Sequence, residues 1–140
     1  MNTMRWLAVI HVAAALTWCI AALRLPGVVG RAIAQTGPAA HTRRHAWQLF
    51  IGIATPAALA TLVSGTALRA AQGPDAAWPL LHLTVASLLV WTHGATVVLL
   101  IRLERRQHRS LLTASRVLCA CTLALLLAFS AQALLMLPRV

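Results

Sequence analysis

The chain has 140 residues, 60% of them hydrophobic and 10% charged, with a formal net charge of +10. Soluble domains carry about a quarter charged residues, so this composition excludes an ordinary soluble domain. The two acidic residues, Asp75 and Glu104, both fall outside the long apolar blocks, which excludes paired-carboxylate chemistry inside them.

Four apolar windows follow one another, at about 6–28, 46–68, 78–103 and 111–137. Each approaches or exceeds the roughly 20 residues needed to cross about 30 Å of hydrocarbon. The expected fold class is all-α: an integral membrane four-helix bundle, as one transmembrane domain over residues 1–140. The first segment, "WLAVIHVAAALTWCIAALRLPG", is expected to stop at Pro26-Gly27. Its apolar run is longer than the 7–15-residue core of a signal peptide. The bulky Trp18 also stands where a lipoprotein signal needs a small residue, so the segment reads as a true span. "GRAIAQTGPAAHTRRH" reads as a polar connection.

The second segment contains Thr55-Pro56; a mid-span proline is tolerated in membranes but kinks the helix and frees a carbonyl. "AQGPDAA" is a short turn, and Trp78-Pro79 open the third segment. "RLERRQHRS" is a basic connection into the fourth, which ends at Pro138. Small residues fill segments one, two and four, allowing close helix packing.

Lysine is absent, and eight of the twelve arginines flank two connections: Arg24, Arg31, Arg43 and Arg44 the first, Arg102, Arg105, Arg106 and Arg109 the third. Positive loops stay in the cytoplasm. Both termini are therefore expected on the periplasmic side of a bacterial inner membrane. The basic residues read as topology signals and lipid contacts, and nucleic-acid binding is not expected.

Cys19, Cys119 and Cys121 lie in spans, with no C-x-x-C-H or C-x-x-C arrangement; they read as small packing residues. His41, His45 and His108 fall in the basic connections as solvated residues. His11, His82 and His93 fall in spans, where ionisable groups are costly and mark function. His82 and His93, in "WPLLHLTVASLLVWTH", are eleven residues apart, about three helical turns, and so share a face.

Depth sorts these three. Trp6 and Trp78 are interfacial anchors on parallel segments. His11 and His82 follow them by five and four residues, which places both roughly 6–8 Å below the anchors. His93 lies about 16 Å deeper than His82, beside Thr55, Pro56 and Cys119, where it meets the freed carbonyl or a second cofactor. Two facing imidazoles at one level suit both faces of a haem iron. Zinc or copper would need further ligands, which are scarce at that depth.

These residues resemble the HemJ-type protoporphyrinogen IX oxidases and, more loosely, the copper-resistance-D-like membrane proteins. His11, Trp18, Leu25 and Pro26 match that family's H-x6-W-x6-L-P. "QLFIGIATP" resembles its R-L-Y-x4-T-P at Leu49, Thr55 and Pro56, with Phe50 for tyrosine and Gln48 for arginine. Trp78, Leu83 and His93 match W-x-H-x-K-L-x9-H, and Arg116 resembles the arginine opening the family's fourth helix. The departures are equally concrete: His82 replaces the third-helix lysine, Ala46 replaces a glutamate, and "RVLCACT" replaces N-E-x-P.

The resemblance implies haem b on His11 and oxidation of a tetrapyrrole precursor. In the enzyme reading, a divergent protoporphyrinogen IX oxidase, Arg24 and Arg116 meet carboxylates of haem or substrate, and His93 accepts a proton. In the electron-carrier reading, His11 and His82 hold a six-coordinate iron and electrons pass to a quinone or redox protein. Beside the bilayer and these partners, the chain is open to forming a homo-oligomer or joining a larger membrane complex. The remaining reading is a cofactor-free anchor or assembly subunit, or a copper-handling relative.

Overall fold

The computed structural model describes residues 3–34, 40–70, 78–105 and 110–135, all of them helical. The elements are α1 (Thr3–Ala34), α2 (Ala40–Leu49), a π-helical turn (Phe50–Ala54), α3 (Thr55–Ala70), α4 (Trp78–Arg105) and α5 (Ser110–Leu135). Because α2, the π-turn and α3 run on as one rod, four helices are long and apolar enough to cross a membrane. They begin at Thr3, His41, Leu83 and Ser110.

α1 is the hub, packing along α3 and α5 and against α2. Its buried residues His11, Ala15, Trp18, Ala21, Leu25, Val28 and Ala32 recur every three or four positions. That is the stripe expected where helices cross at shallow angles in a bundle. α4 packs along α5 and meets α2 at the arginine-rich end, where the Trp47 indole donates to Glu104 Oε1 at 2.7 Å. The seams are built largely from small residues, among them Ala15, Ala21, Ala32, Ala46, Ala54, Ala57 and Ala58. This is how helices associate when lipid offers no hydrophobic drive between them. Outward faces stay apolar, with Leu16, Val63, Trp91 and Leu127 exposed, which is compatible with contact to a bilayer.

Two boundaries differ from the sequence reading. α1 does not stop at Pro26-Gly27 but carries Pro26 inside it and continues to Ala34. Proline forfeits one backbone bond, yet Val28, Val29 and Ala32 beyond it are buried in the core, and that packing holds the helix through the break. The supposed polar connection up to His45 is likewise helical from Ala40, since Ala46 and Leu49 must be held in the core. The lower part of that connection, 35–39, and the second turn, 71–77, lie outside the described residues.

Candidate cofactor site

Thr61, Ser64 and Gly65 of α3 turn one face toward α1, at helical spacings of three and four. His11 fits against that face and is 1% exposed. Its Nδ1 lies 3.0 Å from the Thr61 carbonyl oxygen and 3.2 Å from Ser64 Oγ. A carbonyl only accepts, so Nδ1 carries the proton and donates. The Ser64 hydroxyl gives its own proton to the Ala60 carbonyl and is left to accept from the same Nδ1–H. In the neutral ring Nε2 then bears the lone pair. Nε2 is buried and has no hydrogen-bond partner among the described residues.

An orphaned buried acceptor needs an explanation. The pattern matches a metal-ligating histidine, whose other nitrogen typically donates to a carbonyl that fixes ring and tautomer. Close packing enforces the position. A Cβ on Gly65 would lie 2.9 Å from His11 Cε1 and 2.5 Å from Phe129 Cε1, so only glycine allows α1, α3 and α5 to meet there. Phe129, fully buried, tilts over the imidazole with ring centroids 5.5 Å apart.

His93 occupies a different environment nearer the middle of the bundle. Its ring stacks on Phe50 at 4.4 Å and meets the Trp18 ring edge-on at 5.7 Å. Thr55 explains its polar contact. The Thr55 hydroxyl donates to the Phe50 carbonyl at 3.0 Å, which leaves that hydroxyl to accept from His93 Nε2–H at 3.2 Å. Phe50 O also takes the Thr55 backbone N–H in the wider π-helical register. His93 thus meets a hydroxyl and not, as the sequence suggested, the carbonyl freed ahead of Pro56. Cys119 lines the same small cavity, together with Trp18, Thr96 and Thr122. At about 20 Å³ it has room for one water and none for a macrocycle.

The other sequence-selected residues separate. Arg24 and Arg116 are exposed on the outer faces of α1 and α5, away from His11. The backbone of His82 lies in α4, but its side chain lies outside the described residues. The described side chains against His11 come from α3 and α5. A larger groove of about 600 Å³ runs along α4 and α5 past Trp91, Gly94 and Arg102, and among the described residues no imidazole or thiol lines it. Among the described residues no group of three or more His, Cys, Asp or Glu is placed to hold a metal ion. Haem makes no such demand, because its macrocycle supplies the equatorial ligands and the protein only axial ones.

Sequence reasoning passed over Thr61, Ser64, Gly65 and Arg69. Their signal was present in "TLVSGTALR", where small and polar residues recur at helical spacing and end in an arginine. No protein-family model, no curated protein and no solved structure matches this chain.

Proposed function

We propose that this is a haem-b-binding membrane protein that transfers electrons, with His11 as an axial ligand. One observation carries the reading: a fully buried imidazole whose Nδ1 is locked by Thr61 and Ser64 while its Nε2 lone pair has no described partner. Haem supplies a one-electron couple when bound. The chain's part is to present Nε2 at a fixed angle, to raise its basicity through the Nδ1 hydrogen bond, and to keep water away with apolar walls. Phe129, fully buried, packs against the ring. His82, at matching depth on α4 by helical rise, is the second axial ligand in this reading. The test is a reduced-minus-oxidised absorption spectrum of the purified protein, expected to show low-spin haem b. A colourless protein that stays colourless on haem addition rejects the proposal.

A second reading draws on the same contact. His11 already ties α1 to α3 through Nδ1 and packs on Phe129, as a cofactor-free anchor or assembly subunit would require. His11→Asn separates the two, since an amide keeps a donor for Thr61 but offers iron no imidazole. A merely structural histidine tolerates that change with no spectral consequence.

Activity as a protoporphyrinogen oxidase follows only from the family resemblance. Cells lacking their own oxidase should be rescued weakly or not at all, because the third-helix lysine and the second-helix glutamate are replaced by His82 and Ala46. Robust rescue would establish the enzyme reading instead. The proposed setting is a bacterial inner membrane with both arginine-rich connections in the cytoplasm. Periplasm-dependent reporters fused after Val140 should then be active and those at Gln35 or Gln107 silent; the reverse pattern inverts the topology.

A further inference from the structure

The groove between α4 and α5 is shaped for more than general lipid contact. Trp91, Gly94, Val98 and Arg102 line it from α4, and Ala114 and Leu118 from α5. Steps of three and four residues make each set one helical stripe. Depth comes from side chains that are missing or short: Gly94 has none, a Cβ there would meet nothing within 4 Å, and Ala114 is small. The resulting space of about 600 Å³ falls inside the range of small-ligand sites, roughly 300–1,000 Å³.

Its length fits one leaflet. Trp91 and Arg102 are eleven residues apart, a rise of about 16 Å, close to half of the roughly 30 Å of a bilayer's hydrocarbon core. The two ends differ in kind. Arg102 stands exposed in the last turn of α4, at the arginine-rich end. Among the described residues no carboxylate lines the groove. Glu104 is two residues on, where side chains do not share a face, and it accepts from the Trp47 indole. Trp91 marks the other end, near the middle of α4 and 77% exposed. An exposed tryptophan in a membrane helix ordinarily sits at headgroup level. At mid-helix there is no headgroup, and the flat indole instead walls the inner end of the groove.

We infer that this groove binds an acyl chain of an acidic phospholipid, whose phosphate meets Arg102. A linear apolar chain needs no polar partner along the stripe, and the single cation falls where the headgroups of that leaflet begin. Charge selects the lipid class. Basic sites between membrane helices attract anionic headgroups, whereas a zwitterionic lipid carries its own cation beside the phosphate. The inference needs the apolar helices to lie in a bilayer and is independent of haem.

The experiment uses the indole at the inner end as its reporter. Full-length protein is reconstituted in phosphatidylcholine vesicles, and phosphatidylglycerol or phosphatidylcholine brominated on the acyl chains is titrated in. Bromine quenches indole fluorescence at close range, and subtracting the signal of Trp91→Phe isolates Trp91. Half-maximal quenching of Trp91 should need about fivefold less of the acidic lipid, the worth of one arginine at a charged membrane surface. Arg102→Gln should remove that preference and leave quenching by phosphatidylcholine unchanged. Arg105→Gln loses the same charge at a residue that does not line the groove, and should keep most of the preference. Gly94→Leu fills the groove from open space and should remove the preference with Arg102 intact and the thermal midpoint maintained. Equal quenching of the wild type by both lipids overturns the inference, as does a preference that survives Arg102→Gln or Gly94→Leu. Arg105→Gln erasing it as fully as Arg102→Gln also overturns it, by assigning the effect to the diffuse field of the arginine-rich end. A Trp91 quenched by neither lipid overturns it too, by showing the groove covered by a second copy or another segment of the chain.

Discussion

His11→Ala is expected to abolish the low-spin haem spectrum of the purified protein. Ligand loss cannot be made good locally, since the groups that hold the ring, the Thr61 carbonyl and the Ser64 hydroxyl, are poor ligands for iron. Oxygen donors of that kind suit hard cations. Comparison with two other alanine variants gives the result its meaning. His82→Ala should turn a six-coordinate signal into a high-spin one, because one axial bond remains. His93→Ala should leave the spectrum largely intact, because His93 Nε2 is engaged with Thr55 and the adjoining cavity has only about 20 Å³. Should His93→Ala remove haem while His82→Ala retains it, the second ligand lies deeper in the bundle and the pairing by depth is wrong.

The second large effect is structural. Gly65→Val should lower the thermal midpoint in detergent and reduce haem loading together, with Gly65→Ala showing the same effects in weaker form. An added Cβ would lie 2.5 and 2.7 Å from two ring atoms of Phe129 and 2.9 Å from His11 Cε1. Overpacking costs about 1–3 kcal/mol, whereas replacing a helical glycine by alanine returns at most about 1 kcal/mol. Overpacking wins because Phe129 has no exposed side toward which to retreat. Gly94→Ala is the internal control: nothing lies within 4 Å of its added Cβ, so only the propensity gain remains and stability should hold or rise. Pairing Gly65→Ala with Phe129→Leu should recover part of the loss, as expected of residues in direct contact. Additive losses would place the clash elsewhere.

Much of the architecture was legible along the chain. The apolar windows marked four helices, and His11, Trp18 and Leu25, seven residues apart, fall on one helical face. His93 was placed beside Thr55 and Cys119 from helical rise alone, and it lies there. The helix ends on either side of the first connection were not legible. Pro26 and the arginines near residue 40 are local stop signals, and they lose to long-range burial of Val28, Val29, Ala32 and Ala46, which no local pattern encodes.

The site divides along the same line. That a buried imidazole in the first span needs a task follows from sequence, because moving an ionisable group out of water has a cost wherever the helices end up. Which of its nitrogens is free does not follow. That depends on the rotation and axial register of α3 against α1, which put the Thr61 carbonyl under Nδ1 and bare Gly65 under the ring. Serine, threonine and glycine are common in membrane helices and satisfy themselves within their own backbone, so nothing in "TLVSGTALR" alone singles out the three that face His11. Arginine is ambiguous in the same way: charge and position along the chain do not say which of the twelve is buried. Only packing distinguishes Arg24 and Arg116, which turn outward, from half-buried Arg69, whose Nε and Nη2 are shut in.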